Sequence, residues 1–191
     1  MRRESIFAAG IQESWRLGSN IFDNRGLLIV QHGNARKNRK NGRVSGGVAI
    51  VLSPEAKRAF VAAGSQVLNF GERILAVRLK LVDAKKRTVN ILFVSAYFPV
   101  GAASPTIRQE FYLELERCIA SCSENEILLI GADCNSSMGT RSAARDAVLG
   151  PFGLPHRNKA GTGLYEFCSK MGLCSVTSSE TTIPKIGRAH V

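Results

Sequence analysis

The feature that most constrains the fold is a nearly continuous apolar and β-branched run over residues 89–97. An apolar run without polar alternation is typical of a strand that is covered on both faces. The run Ile127-Leu128-Leu129-Ile130, which leads into Gly131, repeats this pattern. Two such strands indicate a layered fold with a buried sheet.

A different pattern indicates antiparallel neighbours. Residues 73–81 alternate, with leucine and valine on one face and Arg78 and Lys80 on the other, which predicts a half-exposed antiparallel strand. The polar turn Lys85-Lys86-Arg87 joins this strand to the run at 89–97, so we expect a hairpin. Residues 46–52 predict another buried strand.

Helical patterns separate the strands. Ser53 and Pro54 have the residue types of a helix N-cap and first helical position. After Ser104-Pro105, apolar residues predict a helix of about 16 residues; they are Ile107, Phe111, Leu115, Cys118 and Cys122. A second stripe ends at Gly172 and precedes a strand candidate at residues 173–177; it comprises Leu164, Phe167, Cys168 and Met171. We interpret the whole as one α/β domain.

Composition supports a globular protein. The chain has 191 residues, of which 45% are hydrophobic and 21% charged, and this length suits one domain with a real core. No run reaches the roughly 18 apolar residues of a membrane-spanning helix, so we expect a soluble protein that is not exported and does not engage membranes. Its five cysteines are an odd number without a C-x-x-C pair, which favours reduced core thiols over disulfides or zinc.

Positive charge is concentrated in one segment. The chain carries 26 Lys+Arg against 15 Asp+Glu, a net charge of +11. Residues 31–48 hold five basic residues and no acidic one; they are Arg36, Lys37, Arg39, Lys40 and Arg43. This segment is either a solvated loop or a loop that attracts phosphates, because cations release counterions when they neutralise a polyanion.

The candidate site begins at the end of the buried strand at residues 126–130. Asp133 and Asn135 follow it, and alternate residues of an extended segment face the same side. An ionised aspartate can accept a proton from water, and an asparagine can hold an oxygen without adding charge. The pair suits phosphoryl chemistry, although each residue could instead be a turn former or helix cap.

Two further candidates also end apolar segments. Glu13, in Ile11-Gln12-Glu13-Ser14-Trp15, is a candidate Mg²⁺ ligand, since that ion takes one or two carboxylates and keeps waters. Tyr97 closes the run at 89–97, where its hydroxyl could reach a phosphate oxygen. The alternative readings are a surface acid for Glu13 and a packing aromatic for Tyr97.

The order of these motifs resembles the endonuclease/exonuclease/phosphatase family, the DNase I-like and apurinic-type endonucleases. The motifs are Ile-Gln-Glu-Ser-Trp, Gly-Gly-Val-Ala-Ile, Val-Ser-Ala-Tyr-Phe-Pro, Ile-Gly-Ala-Asp-Cys-Asn, Gly-Pro-Phe-Gly with Asn158 and Gly161, and Tyr-Glu-Phe-Cys. Within the family, the chain is most similar to endonuclease domains of non-LTR retrotransposons and their domesticated relatives. The resemblance covers residues 6–182.

This resemblance implies an α/β (α+β) four-layer sandwich of two mixed sheets flanked by helices, with a Mg²⁺-dependent phosphodiesterase site, Mn²⁺ being a possible substitute. It implies that Glu13 binds the metal, that Asp133 orients or deprotonates the attacking water, and that Asn135 holds the phosphate. Tyr97 would lie near the scissile phosphate, and Asn158 would contact the substrate. DNA is the expected partner, which would place the protein in the nucleus, and a longer protein could carry a downstream reverse transcriptase.

The sequence also departs from the family. The metal-site asparagine of the family's first strand and its C-terminal Asp-His pair have no counterpart, and we interpret His32 and His156 as surface residues. We therefore expect residues 1–184 to be a partial domain with little activity. Residues 185–191 resemble a translated library adapter, a non-native tail. The alternatives are a phosphatase or phospholipid-directed member, a catalytically dead basic nucleic-acid-binding or interaction domain, and an unrelated α/β interaction module.

Overall fold

The computed structural model describes residues 6–33, 46–141 and 146–178. These residues form two compact units. The first unit contains the residues up to Pro99 together with Ser104–Asp133. The second contains Val100–Ala103 and the residues from Cys134 onward. Glu13, Tyr97 and Asp133 thus belong to the first unit.

The first sheet of the first unit is antiparallel. Its strands are β1 (Ala8–Gln12), β2 (Asn20–Asn24), β3 (Leu27–His32) and β4 (Val48–Leu52), in the order β1-β4-β3-β2. β4 confirms the buried strand expected from the sequence. The hairpin of β2 and β3 turns through Arg25 and Gly26, both with positive φ, which is the two-residue turn that matches strand twist.

The second sheet is mixed. Its strands are β5 (Val67–Asn69), β6 (Ile74–Val82), β7 (Thr88–Tyr97) and β8 (Glu126–Asp133), in sequence order. β6 and β7 form the predicted hairpin, whereas β7 and β8 are parallel. Parallel neighbours need a long crossover, and helix α2 (Pro105–Ala120) supplies it. This crossover brings the ends of β7 and β8 to the same edge.

The core lies between the two sheets. Leu75, Val77 and Leu79 of β6 share a buried cluster with Ile50 and Leu52 of β4. Helix α1 (Pro54–Ala62) adds the buried side chains of Ala56, Ala59 and Phe60 to the same cluster. Its N-cap is the predicted one, because Ser53 Oγ accepts a hydrogen bond from Ala56 N at 3.1 Å.

The opposite face of the second sheet is covered as well. Ile74 and Leu92, which point away from the first sheet by strand alternation, are fully buried, and α2 packs against β6. α2 has the expected 16 residues and buries Phe111, Leu115 and Cys118. Burial raises the pKa of Cys118 to about 12, so this thiol is a core residue, as its place in the helical stripe indicated.

Two details of the predicted stripe were wrong. Ile107 is 45% exposed, although it lies in the first turn of α2. Cys122 lies beyond the helix, which ends at Ala120 with Ser121 as its C-cap. The alternating strand was predicted to be half-exposed, but Ile74 and Ala76 are fully buried on its second face, since α2 packs there.

The second unit contains helix α3 (Lys159–Met171), which ends as predicted at Gly172 in the left-handed conformation. The strand candidate at residues 173–177 was wrong, because a short 3₁₀ helix spans Val176–Ser178. Polar groups of this segment form hydrogen bonds within the second unit. Ser178 Oγ donates to Ser175 O at 3.0 Å and accepts from Gly150 N at 2.8 Å. Ser175 N donates to Val148 O at 2.7 Å.

The predicted α+β fold with two β-sheets and flanking helices is confirmed. The antiparallel first sheet and the mixed second sheet pack through one apolar cluster. In the part of the chain that the structure describes, no helix is long and apolar enough to cross a membrane.

Candidate active site

The site is built where β1 ends against the second sheet. Gln12, the last residue of β1, donates from Nε2 to Ser95 Oγ at 3.3 Å and to Gly131 O at 3.2 Å. Ser95 Oγ donates to Ile11 O at 3.3 Å. These bonds fix the end of β1 against β7 and β8, so that the next residue, Glu13, leaves the strand at a defined position.

Glu13 and Tyr97 are in direct contact. The Tyr97 hydroxyl donates a hydrogen bond to Glu13 Oε1, although the two residues are 84 positions apart. Tyr97 is buried at 5% exposure at the end of β7, whereas Glu13 is exposed. The buried phenol therefore holds the carboxylate of an exposed residue.

Asp133 lies on the strand next to Tyr97. The two residues are direct partners in the parallel register of β7 and β8, and Phe98 N donates to Asp133 O at 2.9 Å. Directly paired residues of neighbouring strands place their side chains on the same face. Tyr97 is thus in contact with Glu13 through its hydroxyl and is the register neighbour of Asp133.

Arg73 was missed in the sequence analysis and belongs to this group. Its guanidinium lies 5.0 Å from the centroid of the Tyr97 ring, and Nη1 donates to Tyr97 O at 3.4 Å. Tyr97 N in turn donates to Arg73 O at 2.9 Å. The register of the predicted hairpin could have revealed this neighbour, because it pairs the start of one strand with the end of the other.

A raised pKa occurs near Arg73. Burial raises the pKa of Glu114 above its ordinary value, and Glu110 and Glu72 add to the effect, while Arg117 and Arg73 oppose it. The Glu114 carboxylate lies against Gly71, where any side chain would collide with it. The Arg73 cation therefore faces carboxyl groups of α2 as well as the Tyr97 ring.

The segment that carries Glu13 rests on glycines. Ser14 N donates to Gly47 O at 3.2 Å, and Trp15 N donates to Gly46 O at 3.0 Å. A Cβ at Gly47 would come within 2.7 Å of Ser14 Oγ, and both Gly46 and Gly47 have positive φ. The Gly-Gly motif is therefore explained by the close approach of this segment, since only glycine fits here without strain.

The same segment carries backbone strain. Glu13 and Trp15 have φ values of 53° and 52°, a left-handed conformation that costs non-glycine residues about 1–3 kcal/mol each and clusters at functional sites. Ser14 Oγ is buried and has no hydrogen-bond partner among the described residues. These features indicate that the surrounding structure holds residues 13–15 in a strained backbone conformation.

The two asparagines of the predicted site belong to the second unit. Asn135 has a φ of 44°, a conformation that asparagine tolerates better than most residues. Asn158 is the N-cap of α3: its Oδ1 accepts from Gly161 N at 2.7 Å and from Ser137 N at 3.4 Å. A Cβ at Gly161 would collide with Ser137 O. Asn158 thus has a structural role, and its contact with substrate stays a prediction.

The basic residues of the predicted DNA-binding loop lie outside the described residues, and so do residues 185–191. The loop residues are Arg36, Lys37, Arg39, Lys40 and Arg43. His32 lies at the end of β3, where Nδ1 forms a 2.6 Å hydrogen bond with Ser19 Oγ. His156 contributes its backbone carbonyl to a hydrogen bond from Ser137 Oγ.

The carboxylates at the ends of β1 and β8 are of the ligand type that hard divalent cations take. Glu13 and Asp133 supply carboxylates, the ligand type that Mg²⁺ prefers, and that ion needs only one or two because it keeps several waters. Across residues 6–33, 46–141 and 146–178, no group of three or more His, Cys, Asp or Glu could hold a metal ion. A carboxylate-rich calcium or histidine-rich zinc centre is therefore not what the described residues offer.

Comparison with known proteins gives two distant relatives. The chain is similar to Craniofacial development protein 2. The Bos taurus protein is 25% identical and the Tragulus javanicus protein 24% identical, each over 170 residues, which is 88% of this chain. The chain spans about a quarter of the length of these curated relatives, since the match covers 26% of each. No protein-family model matches the chain, and no solved structure gives a significant match.

Proposed function

We propose that the chain is a Mg²⁺-dependent phosphodiesterase domain of the endonuclease/exonuclease/phosphatase type, directed at DNA. The observation that carries this proposal is the hydrogen bond from the Tyr97 hydroxyl to Glu13, with Asp133 paired beside Tyr97 on the next strand. Metal-dependent hydrolysis of a phosphodiester uses one carboxylate to bind the cation and one to accept a proton from the attacking water. Glu13 and Asp133 would supply them.

In this proposal each residue has one task. Glu13 would hold Mg²⁺, or Mn²⁺ in its place, and the bound ion would supply Lewis-acid stabilisation of the phosphate oxygens. Asp133 accepts the proton of the water whose oxygen attacks phosphorus, as one ester P–O bond breaks. The family resemblance assigns a phosphate contact to Asn135 as well, and that role stays a prediction from the sequence. Tyr97 keeps the Glu13 carboxylate in one orientation.

Four observations support this assignment. The order of the motifs resembles the family over residues 6–182, and the two packed sheets agree with the expected architecture. The net charge of +11 favours a polyanionic substrate over a neutral one. The relatives match most of this chain, which is consistent with a shared domain.

A second candidate is a catalytically inactive domain of the same fold that binds nucleic acid. It is favoured by the high positive charge, because attraction to a polyanion does not depend on catalysis. Both candidates predict DNA binding, and only the first requires a metal at Glu13.

Metal binding separates the two candidates more sharply than turnover does. We expect Mn²⁺, titrated calorimetrically into the full chain, to bind the wild-type protein, and Glu13→Gln to weaken this binding at least about tenfold. Glu124→Gln, at an exposed turn position, is the matched control and should bind as the wild type does. Supercoiled plasmid should be nicked slowly with Mg²⁺ and not with EDTA.

Equal Mn²⁺ affinity in Glu13→Gln and the wild-type chain would overturn the metal assignment. DNA binding in EDTA without any metal binding would establish the inactive alternative instead. Circular dichroism of both variants would show whether the sheets are retained.

A further inference from the structure

Trp15 is placed beside the proposed metal ligand and remains open to solvent. It is the one tryptophan of the chain, and 57% of its surface is exposed. Two residues of chain span at most about 7 Å, so its Cα lies within that distance of the Glu13 Cα. A large, solvent-exposed aromatic side chain is therefore attached to the backbone two residues after the proposed metal ligand.

The backbone beneath Trp15 is held firmly. Its N–H donates to Gly46 O, the preceding N–H donates to Gly47 O, and its own φ of 52° is left-handed. A Cβ at Gly33 would collide with Arg16 O, so the chain after Trp15 is in close contact as well. Single exposed apolar residues are common on protein surfaces, but they do not usually require a strained backbone and a glycine-lined support.

The arrangement resembles a preorganised contact residue. A ring on a fixed backbone loses little conformational entropy when it binds a partner, and a large aromatic side chain offers a broad apolar face at low entropic cost. A strained conformation that the structure maintains for an exposed ring indicates that the position of the ring matters.

We propose that Trp15 stacks on a nucleobase of DNA bound beside Glu13. This inference rests on the proposed function and extends it, because it names the base, rather than the phosphate, as a second point of contact. Every base has a π-face, so stacking favours DNA binding without a sequence requirement. A base that is unstacked from its neighbours, as in single-stranded DNA, exposes that face best.

The charge of the protein favours a nucleic acid over an apolar protein partner. The net charge of +11 attracts a polyanion, and Arg16 adds a cation directly after the ring. Indole on base combined with cations on phosphates is the recurring design of single-strand binding surfaces. A protein partner would not require this charge.

The single tryptophan makes the test direct. With EDTA present, so that no metal chemistry contributes, we expect a short single-stranded DNA to quench the fluorescence of the full chain and to protect Trp15 from acrylamide. The duplex of the same sequence should quench less. RNA of the corresponding sequence, with uracil in place of thymine, is a separate comparison, and a preference for RNA would overturn the assignment to DNA.

Matched substitutions of Trp15 distinguish aromatic stacking from the effect of apolar side-chain size. We expect Trp15→Phe to keep affinity for single-stranded DNA within about threefold and Trp15→Leu to lose at least about fivefold, as measured by anisotropy of labelled DNA. Leu113→Ala, at an exposed position of α2, is the remote control and should bind as the wild type does. Equal affinity of Trp15→Leu and the wild-type chain, or unquenched fluorescence at saturating DNA, would overturn the proposal.

The two proposals fail in different ways. Quenching by DNA without metal binding at Glu13 would leave the stacking role standing and overturn the phosphodiesterase. Metal-dependent nicking with unchanged Trp15 fluorescence would retain the phosphodiesterase and overturn the stacking role.

Discussion

Tyr97 is the residue on which the geometry of the site depends. Its ring is buried and lies under the Arg73 guanidinium, while its hydroxyl reaches Glu13 across the boundary between the two sheets. The phenol is thus a positioning residue: it fixes the carboxylate without being exposed itself. Removing only the hydroxyl should leave the packing of the ring intact.

We expect Tyr97→Phe to lower Mn²⁺ affinity about 10- to 100-fold, the range typical for hydrogen-bond partners of metal ligands. The free energy of unfolding should fall by only about 0.5–1.5 kcal/mol, since one hydrogen bond is lost. Calorimetric titration with Mn²⁺ and urea unfolding measure the two effects. Tyr112→Phe on α2 is the control; unchanged Mn²⁺ affinity in Tyr97→Phe would show that the phenol does not orient Glu13.

Sequence reasoning selected Glu13, Tyr97 and Asp133 because each ends an apolar segment. The structure brings Glu13 into contact with Tyr97 and pairs Tyr97 with Asp133, and their roles in catalysis stay predictions. Sequence reasoning missed Arg73 because a cation at a strand start looks like any solvated residue until the hairpin register is known. It could not show the local role of Asn158 either, because a helix cap and a substrate contact use the same residue type.

At the scale of elements, Arg78 connects three segments of the first unit. Its Nε donates to Glu126 Oε1 at 2.7 Å, Nη2 donates to Ser121 O at 2.7 Å, and Nη1 donates to Gln66 Oε1 at 2.8 Å. The side chains of Arg78 and Glu126 are 24% and 8% exposed. Because this pair is largely buried, breaking it should cost far more than breaking a surface pair.

The stability should therefore depend on pH through Glu126. Burial alone raises the pKa of Glu126, but hydrogen bonds from Ser123 and Arg78 outweigh it and hold the pKa below the ordinary value of 4.5. A carboxyl with a lowered folded-state pKa stabilises the fold at neutral pH, and this contribution is lost as the pH falls from about 4.5 through the folded-state pKa. We expect Glu126→Gln to cost about 1–3 kcal/mol at pH 7, with the difference from wild type shrinking below pH 4.5.

Urea unfolding at a series of pH values measures this effect. Lys57→Met, which breaks the exposed pair with Asp23, is the control and should change stability far less at every pH. A difference between Glu126→Gln and wild type that stays constant down to strongly acidic pH would contradict the assigned cause.

The helices and strands that could be predicted are those with long apolar runs or helical stripes in the sequence. β7, β8, α2 and α3 follow from runs and stripes that local residue types support. β2 and β5 were missed, because short strands without strong alternation are indistinguishable from loops in the sequence. The strand expected at residues 173–177 did not form, since serine hydroxyls satisfy the backbone there in place of a partner strand.

At the scale of the whole molecule, the dependence of DNA affinity on salt separates the contribution of charge from that of stacking. The five basic residues of the segment 31–48 lie outside the described residues, but their number alone predicts a salt effect. Each phosphate that a cation neutralises adds about 0.9 to the slope of log affinity against log salt on duplex DNA. If all five contact phosphates, they account for a slope of about 4.5.

We therefore expect DNA affinity of the full chain to fall steeply with salt, and replacement of the five residues by serine to reduce the slope by about 4.5; they are Arg36, Lys37, Arg39, Lys40 and Arg43. Trp15→Leu should instead lower affinity equally at every salt concentration, because stacking releases no counterions. Anisotropy titrations across a salt series measure both effects, on duplex DNA for the serine replacements and on single-stranded DNA for Trp15→Leu. A slope unchanged by the serine replacements would show that the loop is only solvated and that the remaining cations of the chain bind the phosphates.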